Sequence, residues 1–377
     1  MRKGASRVFQ ILQFRKLKLV YLALIAVLLS GGFFSLSFRS PAENSLDMAS
    51  KINTQCRDDS SNRCLKSFFA DFAKENSFNQ TKQVLDALQE INPTTRYCHP
   101  FAHVISIAEV EKNAEGWLDV FSYIPESECS YGYFHGVIEG KYRSDPDFLI
   151  DSGFIESVCS RDLKKSGFSR SCAHAFGHVV LVQEEGSIEN GLGICEKLLP
   201  DLNNPCLQGV FMENIQKDNL SEHGIKDRET WDVNFLNTEI AYCNQFNGSK
   251  QNECWRSLGP VIRAVSEVDK AVLVCQDAPE YLSRRFCTRE VLGSELVFQF
   301  SQSGEEEKYS DECLFLSDQN QEYRNCMKDL ISYVILTSAS YKSEMLRYCE
   351  IVLAKDREDC ISTVSYTHLT LPTNREV

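Results

Sequence analysis

The chain has 377 residues, 16 cysteines and a formal net charge of −13. Residues 1–40 hold seven Lys/Arg and no acid, so the remainder carries −20. An acidic remainder argues against a nucleic-acid partner, which needs a basic surface; otherwise acidity describes a solvated face.

Residues 1–18 contain Arg2, Lys3, Arg7, Arg15, Lys16 and Lys18. They precede LVYLALIAVLLSGGFFSLSF (19–38), an uncharged run long enough to span a bilayer as a helix. No A-x-A cleavage site follows, so the run reads as a transmembrane signal-anchor, with a cleaved signal peptide as the alternative. The positive flank places residues 1–18 in the cytoplasm and everything beyond outside it, in a periplasm, at a cell surface or in a secretory lumen. Residues 39–50 read as a stalk and residues 51–363 as one cysteine-rich helical domain. At the other end, VSYTHLTLPT (364–373) matches one translated frame of a sequencing-library adapter. Residues 364–377 are therefore set aside as an artefact, and the natural chain is expected to run on.

Within 51–363 the apolar residues of LKSFFADFAKE (65–75), AHVISIAEVEK (102–112) and MKDLISYVIL (327–336) recur every three or four positions. This is a helical period, and no period-two run accompanies it. The cysteines fall mostly into near pairs: Cys56 with Cys64, Cys159 with Cys172, Cys195 with Cys206, Cys243 with Cys254, Cys275 with Cys287, Cys313 with Cys326, and Cys349 with Cys360. The second member of each pair is expected to open a helix. With Cys98 and Cys129, these helix-opening cysteines are spaced by 34, 31, 43, 34, 48, 33, 39 and 34 residues. Such a period indicates stacked helical hairpins. Each near pair fits a disulfide that staples one helix end to the next helix, whereas structural zinc sites use C-x2–4-C knuckles. Cys98 and Cys129 have no near partner; they either bridge across a bent turn or remain free thiols. The segments beginning Cys129-Ser-Tyr-Gly and Cys206-Leu-Gln-Gly align as C-x-x-G-x-F, and their glycines imply close helix approach.

The period, the hairpin unit and the staple resemble tetratricopeptide-type α-solenoids, especially cysteine-rich bacterial ones. The resemblance covers residues 51–363 and implies an all-α, right-handed solenoid of about nine repeats of ~34–40 residues. The Trp/Leu-Gly/Tyr consensus of that family is absent, and no function comes with the likeness.

Chemistry concentrates in the histidines. His99/His103 and His174/His178 are each spaced i,i+4 and so share a helix face; His135 has Glu139 at the same spacing. Counted from the helix-opening cysteines, His103 lies at +5 and His135, His178 and Met212 at +6. Neighbouring helices thus present these side chains at one height. Histidine with carboxylate suits zinc or iron, and histidine with methionine suits copper. Haem is disfavoured by the lack of C-x-x-C-H. The expected ligand set is His99, His103, His135, Glu139, His174, His178 and Met212. The H-E-x-x-H pattern of zinc proteases is missing, so the reading leans away from an enzyme. The alternatives are an exported hydrolytic or redox enzyme using the same histidines, a metal-free pocket, and a scaffold for other extracytoplasmic proteins. His223 falls in a polar insertion near residues 214–236 and is given no role.

Overall fold

The structure is a computed structural model. It describes residues 41–57, 62–125, 128–145, 147–160, 168–216, 231–302, 313–316, 319–337 and 341–370. The segment 19–38, read as a membrane anchor, and His223 lie outside these. Among the described residues no helix is long and apolar enough to cross a membrane. Contacts divide the chain into Met1–Asn44 and Ser45–Val377. Only the last residues of the first unit are described, as the start of helix α1 (Pro41–Gln55).

The described residues form helices and no strand. After α1 come α2 (Arg63–Glu75), α3 (Phe78–Ile91), α4 (His99–Lys112), α5 (Trp117–Val120) and α6 (Gly132–Ser144). Then follow α7 (Ser152–Cys159), α8 (Phe168–Gln183), α9 (Ile188–Cys195), α10 (Pro200–Gln216), α11 (Val233–Cys243) and α12 (Gly248–Val265). The last are α13 (Val268–Gln276), α14 (Tyr281–Gln302), α15 (Asn320–Thr337), α16 (Lys342–Ile351) and α17 (Arg357–Thr370). Local chemistry sets several boundaries. Ser77 and Gln80 form a capping box on α3, and the Asp151 and Asp232 carboxylates accept from the Phe154 and Phe235 amides to start α7 and α11. Pro200 opens α10, and Pro205 and Pro260 sit inside α10 and α12.

All eight bridges are formed and no cysteine is free. Cys56 bonds Cys64, Cys159 bonds Cys172, Cys195 bonds Cys206, and Cys243 bonds Cys254. Cys275 bonds Cys287, Cys313 bonds Cys326, and Cys349 bonds Cys360. These seven are the near pairs that the spacing singles out. Cys98 bonds Cys129 with Cα atoms 5.0 Å apart. This resolves the open pair as a bridge and removes free thiols from the site. The bridge is reached through a left-handed run, with φ of 54° at Cys129, 51° at Ser130 and 64° at Tyr131. Such a conformation costs roughly 1–2 kcal/mol per non-glycine residue, and nothing in the local sequence announces it.

The position of the second cysteine in its helix needs correction. Cys64 stands in the first turn of α2, as a helix-opening residue should. The others stand deeper. Helix α8 begins at Phe168, before Cys172, and α10 at Pro200, before Cys206. Likewise α12 begins at Gly248, before Cys254, and α14 at Tyr281, before Cys287. Cys326 and Cys360 follow helix starts at Asn320 and Arg357. Some of the added turns are polar, as in Ser249-Lys-Gln-Asn-Glu253 ahead of Cys254 and Arg357-Glu-Asp359 ahead of Cys360. An apolar period cannot register a turn without an apolar face. The staple therefore grips the side of the second helix and not its tip.

The helices that carry the second cysteine of each near pair, together with α4 and α6, which follow Cys98 and Cys129, form one row. Helices α2, α4, α6, α8, α10, α12, α14, α15 and α17 pack each on the next, and the shorter helices cover their outer side. Residues 39–50, expected as a stalk, are helical from Pro41, and Ala49 and Ile52 are buried in the common core. Residues 364–370, set aside by sequence, continue α17, and Val364 is buried.

An open solenoid does not describe the contacts. In such an array each repeat touches only its neighbours. Here the 3-10 turn Pro93–Arg96 packs on α14, and the turn Glu128–Tyr131 packs on α15. Arg96 Nη1 lies 2.6 Å from Glu344 Oε1, and its guanidinium stands 5.9 Å from the centre of the Tyr341 ring. The row closes on itself, and its early and late repeats meet.

Candidate metal centre

Four consecutive helices of the row supply the site. Helix α4 carries His99 and His103, α6 carries His135 and Glu139, α8 carries His174 and His178, and α10 carries Met212. The i,i+4 spacing puts each histidine pair on one face, one turn apart. Close backbone approach brings the faces together. A Cβ on Gly136 would lie 2.2 Å from the His103 carbonyl oxygen, and one on Gly209 2.1 Å from that of His174. Only glycine permits α4 to rest on α6, and α8 on α10, at this distance.

The interior is polar but enclosed. His103 is 2 % exposed, His135 and His178 are 4 % exposed, and His99, Glu139 and Glu213 are also buried; His174 is partly exposed. His99 Nδ1 lies 3.0 Å from the Cys129 carbonyl and 3.1 Å from that of Ser130. A carbonyl only accepts, so Nδ1 carries the proton and Nε2 keeps its lone pair. His103 Nδ1 lies 3.0 Å from Glu139 Oε2, which fixes the same tautomer. Arg143, on the same helix, pairs with the other oxygen of Glu139. The Nε2 atoms of His99 and His103 then face each other at 3.1 Å, and His135 Nδ1 lies 3.1 Å from His103 Nε2.

The arrangement recurs on the next helix pair. His178 Nδ1 lies 2.9 Å from Glu213 Oε2, and His178 Nε2 lies 3.2 Å from His174 Nε2. The Pro205 carbonyl faces the His174 ring and favours its protonated form, but desolvation outweighs it. The His135 ring stands between the two sets, its centre 4.9 Å from those of His99 and His174 and 5.0 Å from those of His103 and His178. Two groups, His99/His103/His135 and His135/His174/His178, therefore gather their ligand atoms closely enough to hold a metal ion each.

Electrostatics favour neutral imidazole. Burial pushes the His135 pKa well below the ordinary imidazole value, and the four surrounding histidines push the same way. Burial likewise holds His174 well below it, helped by His178 and by the Arg256 guanidinium of α12. Arg256 is itself held by Glu253 at 3.3 Å and Glu290 at 3.0 Å. Neutral imidazole is the form that ligates metal.

The expected residues thus separate. The five histidines converge, and Glu139 contacts His103 rather than standing among the facing nitrogens. The Met212 sulfur lies 3.9 Å from Gln208 Nε2. Its neighbour Glu213 makes the contact to histidine and was missed. The signal was present: His103 and Glu139 are 36 residues apart, and His178 and Glu213 are 35 apart. The cysteines stay outside the ligand set. Metal is held by thiolate, and Cys98, Cys129, Cys172 and Cys206, which lie on or beside the four site helices, are all disulfide-bonded. A surface cavity of about 290 Å³, lined by Arg284, Arg285 and Glu322 among others, contains none of these histidines.

The chain shows no significant match to a protein-family model, to a curated protein or to a solved structure.

Proposed function

We propose that this protein is anchored in a membrane by residues 19–38 and binds a transition metal outside the cytoplasm through the buried histidines of α4, α6 and α8. One observation carries the reading. The carboxylates of Glu139 and Glu213 and the carbonyls beside His99 fix Nδ1 protons and aim the Nε2 lone pairs of His99, His103 and His178 into the interior. The Nε2 lone pairs of His99 and His103, facing at 3.1 Å, repel, and only a proton or a metal cation between them makes the contact attractive. Burial opposes the proton. A carboxylate on the far nitrogen of histidine is also the outer shell that ligating imidazoles carry.

All-nitrogen donor sets suit zinc, copper or iron. The Met212 sulfur lies against Gln208, so the imidazoles alone carry this choice. Nitrogens this close leave no room for a porphyrin, which disfavours haem. The enclosure of the ligands favours a structural or electron-transfer centre over an exported hydrolytic enzyme, which needs substrate access. The eight disulfides indicate an oxidising location. The acidic outer surface remains open to other extracytoplasmic proteins.

The test is retention of metal by the oxidised full chain, supplied with zinc, copper, iron and haem in turn and then dialysed. One of the metals should stay bound, and changing His103, His135 and His178 together to Ala should release it while the helical circular dichroism persists. Changing His223 should have no effect. Retention of none of them would overturn the reading. A reporter fused after residue 50 should be active outside the cytoplasm; cytoplasmic activity would remove the anchor and its orientation.

A further inference from the structure

The two histidine groups are not separate, because both use His135. On one side of its ring, Nδ1 lies 3.1 Å from His103 Nε2. The rings of His174 and His178 stand 4.9 and 5.0 Å from it, centre to centre. Imidazole has two ring nitrogens, one on each side of a ring carbon, and a residue that gives one to each of two ions bridges them. The surroundings are duplicated in the same sense. Each flanking helix brings an i,i+4 histidine pair whose Nε2 atoms face each other, at 3.1 Å in α4 and 3.2 Å in α8. In each pair the second histidine is braced by a buried carboxylate of the next helix of the row, Glu139 or Glu213. A single ion would use three of the five histidines and leave the other pair unaccounted for. We infer that the site holds two metal ions, one on His99, His103 and His135 and the other on His135, His174 and His178, with the His135 imidazolate bridging them. This deepens the proposed function and rests on it.

The chemistry balances without a redox partner. A neutral imidazole has one lone pair and one N–H. To ligate through both nitrogens, His135 releases that proton to solvent as the second ion binds, and the N–H bonding pair becomes the second metal–nitrogen bond. The imidazolate, Glu139 and Glu213 are the anions that offset two dications in the interior, where uncompensated charge is costly. Metal–nitrogen bonds of about 2.0–2.1 Å on either side of one ring set the ions roughly 6 Å apart. At that distance, bridged copper(II) ions exchange-couple through the ring.

The experiment loads the oxidised full chain with zinc(II), and separately with copper(II), and counts ions per chain by elemental analysis after dialysis. Two ions per chain are expected, and the copper form should show the weakened, coupled electron paramagnetic resonance of a pair. Changing His99 and His103 together to Ala should leave one ion, as should changing His174 and His178 together. Each single-ion form should give an uncoupled mononuclear copper signal. A His135→Gln variant, checked for helicity and for all eight bridges, should abolish the coupling. One ion per chain in the unaltered protein would overturn the bridge while leaving metal binding intact, as would two ions with uncoupled signals. No retained ion would overturn the metal reading itself.

Discussion

Glu139 and Glu213 decide which nitrogen of His103 and His178 faces the interior. Removing the charge while keeping the shape tests that role. Glu139→Gln and Glu213→Gln should each weaken metal affinity about 10–100-fold, as measured by competition with a chelator. Changing Gln208 or Met212, which touch each other, should not. A second expectation concerns the protein stripped of metal. His135 is flanked by His99, His103, His174 and His178, and His174 also faces Arg256. Both His135 and His174 hold pKa values well below the unfolded one. The unfolded chain therefore takes up protons first. Stability is fully present above the unfolded imidazole pKa of about 6.5 and falls as pH drops below it. Denaturant midpoints of the metal-free protein should decline from pH 7 to pH 5, and Arg256→Gln should moderate the decline. At this scale the histidines could be read from the sequence because their spacing is helical. Glu213 was missed, because counting from Cys206 favours Met212 by one position; the signal for it was the His103–Glu139 interval, nearly repeated from His178.

At the scale of elements, the site depends on how closely two helix pairs approach. Gly136 and Gly209 take the places where any side chain would strike a backbone carbonyl. Gly136→Ala and Gly209→Ala should each force the helices apart. The expected cost is about 1–3 kcal/mol of stability, together with loss of metal retention. Gly193→Ala, where a Cβ meets nothing within 4 Å, is the control. Thermal melts and metal content of the three variants check this. The near-pair staples were legible because each closes a short loop between a helix end and the next helix. The helix starts ahead of Cys254 and Cys360 were not, because those turns carry polar residues. Nor was the Cys98–Cys129 bridge. It depends on three successive left-handed residues, Cys129, Ser130 and Tyr131, none of them glycine. The same turn presents the carbonyls that orient His99, so disulfide and site share one piece of unusual backbone.

For the whole molecule, the feature hidden from the sequence was closure. Periodicity reports how each repeat meets the next, and it carries no information about residues 248 apart such as Arg96 and Glu344. Both side chains of that pair are largely buried, so removing one leaves a charge without its partner. Arg96→Ala should cost about 1–3 kcal/mol. It should also increase amide exchange in two places at once, the turn Pro93–Arg96 and helix α14 against which it packs. Faster exchange in only one of them would show that the contact does not join the early and late repeats.

Closure also orders events in time. Ribosomes deliver the chain from its N-terminus at roughly 5–20 residues per second. Every histidine of the cluster and both carboxylates have emerged by Glu213, whereas Glu344 has yet to be made. For on the order of ten seconds the nascent protein owns a complete set of ligands and an unlatched ring. An ion that reaches the site in that interval meets no late repeats, and one that arrives afterwards meets the closed row.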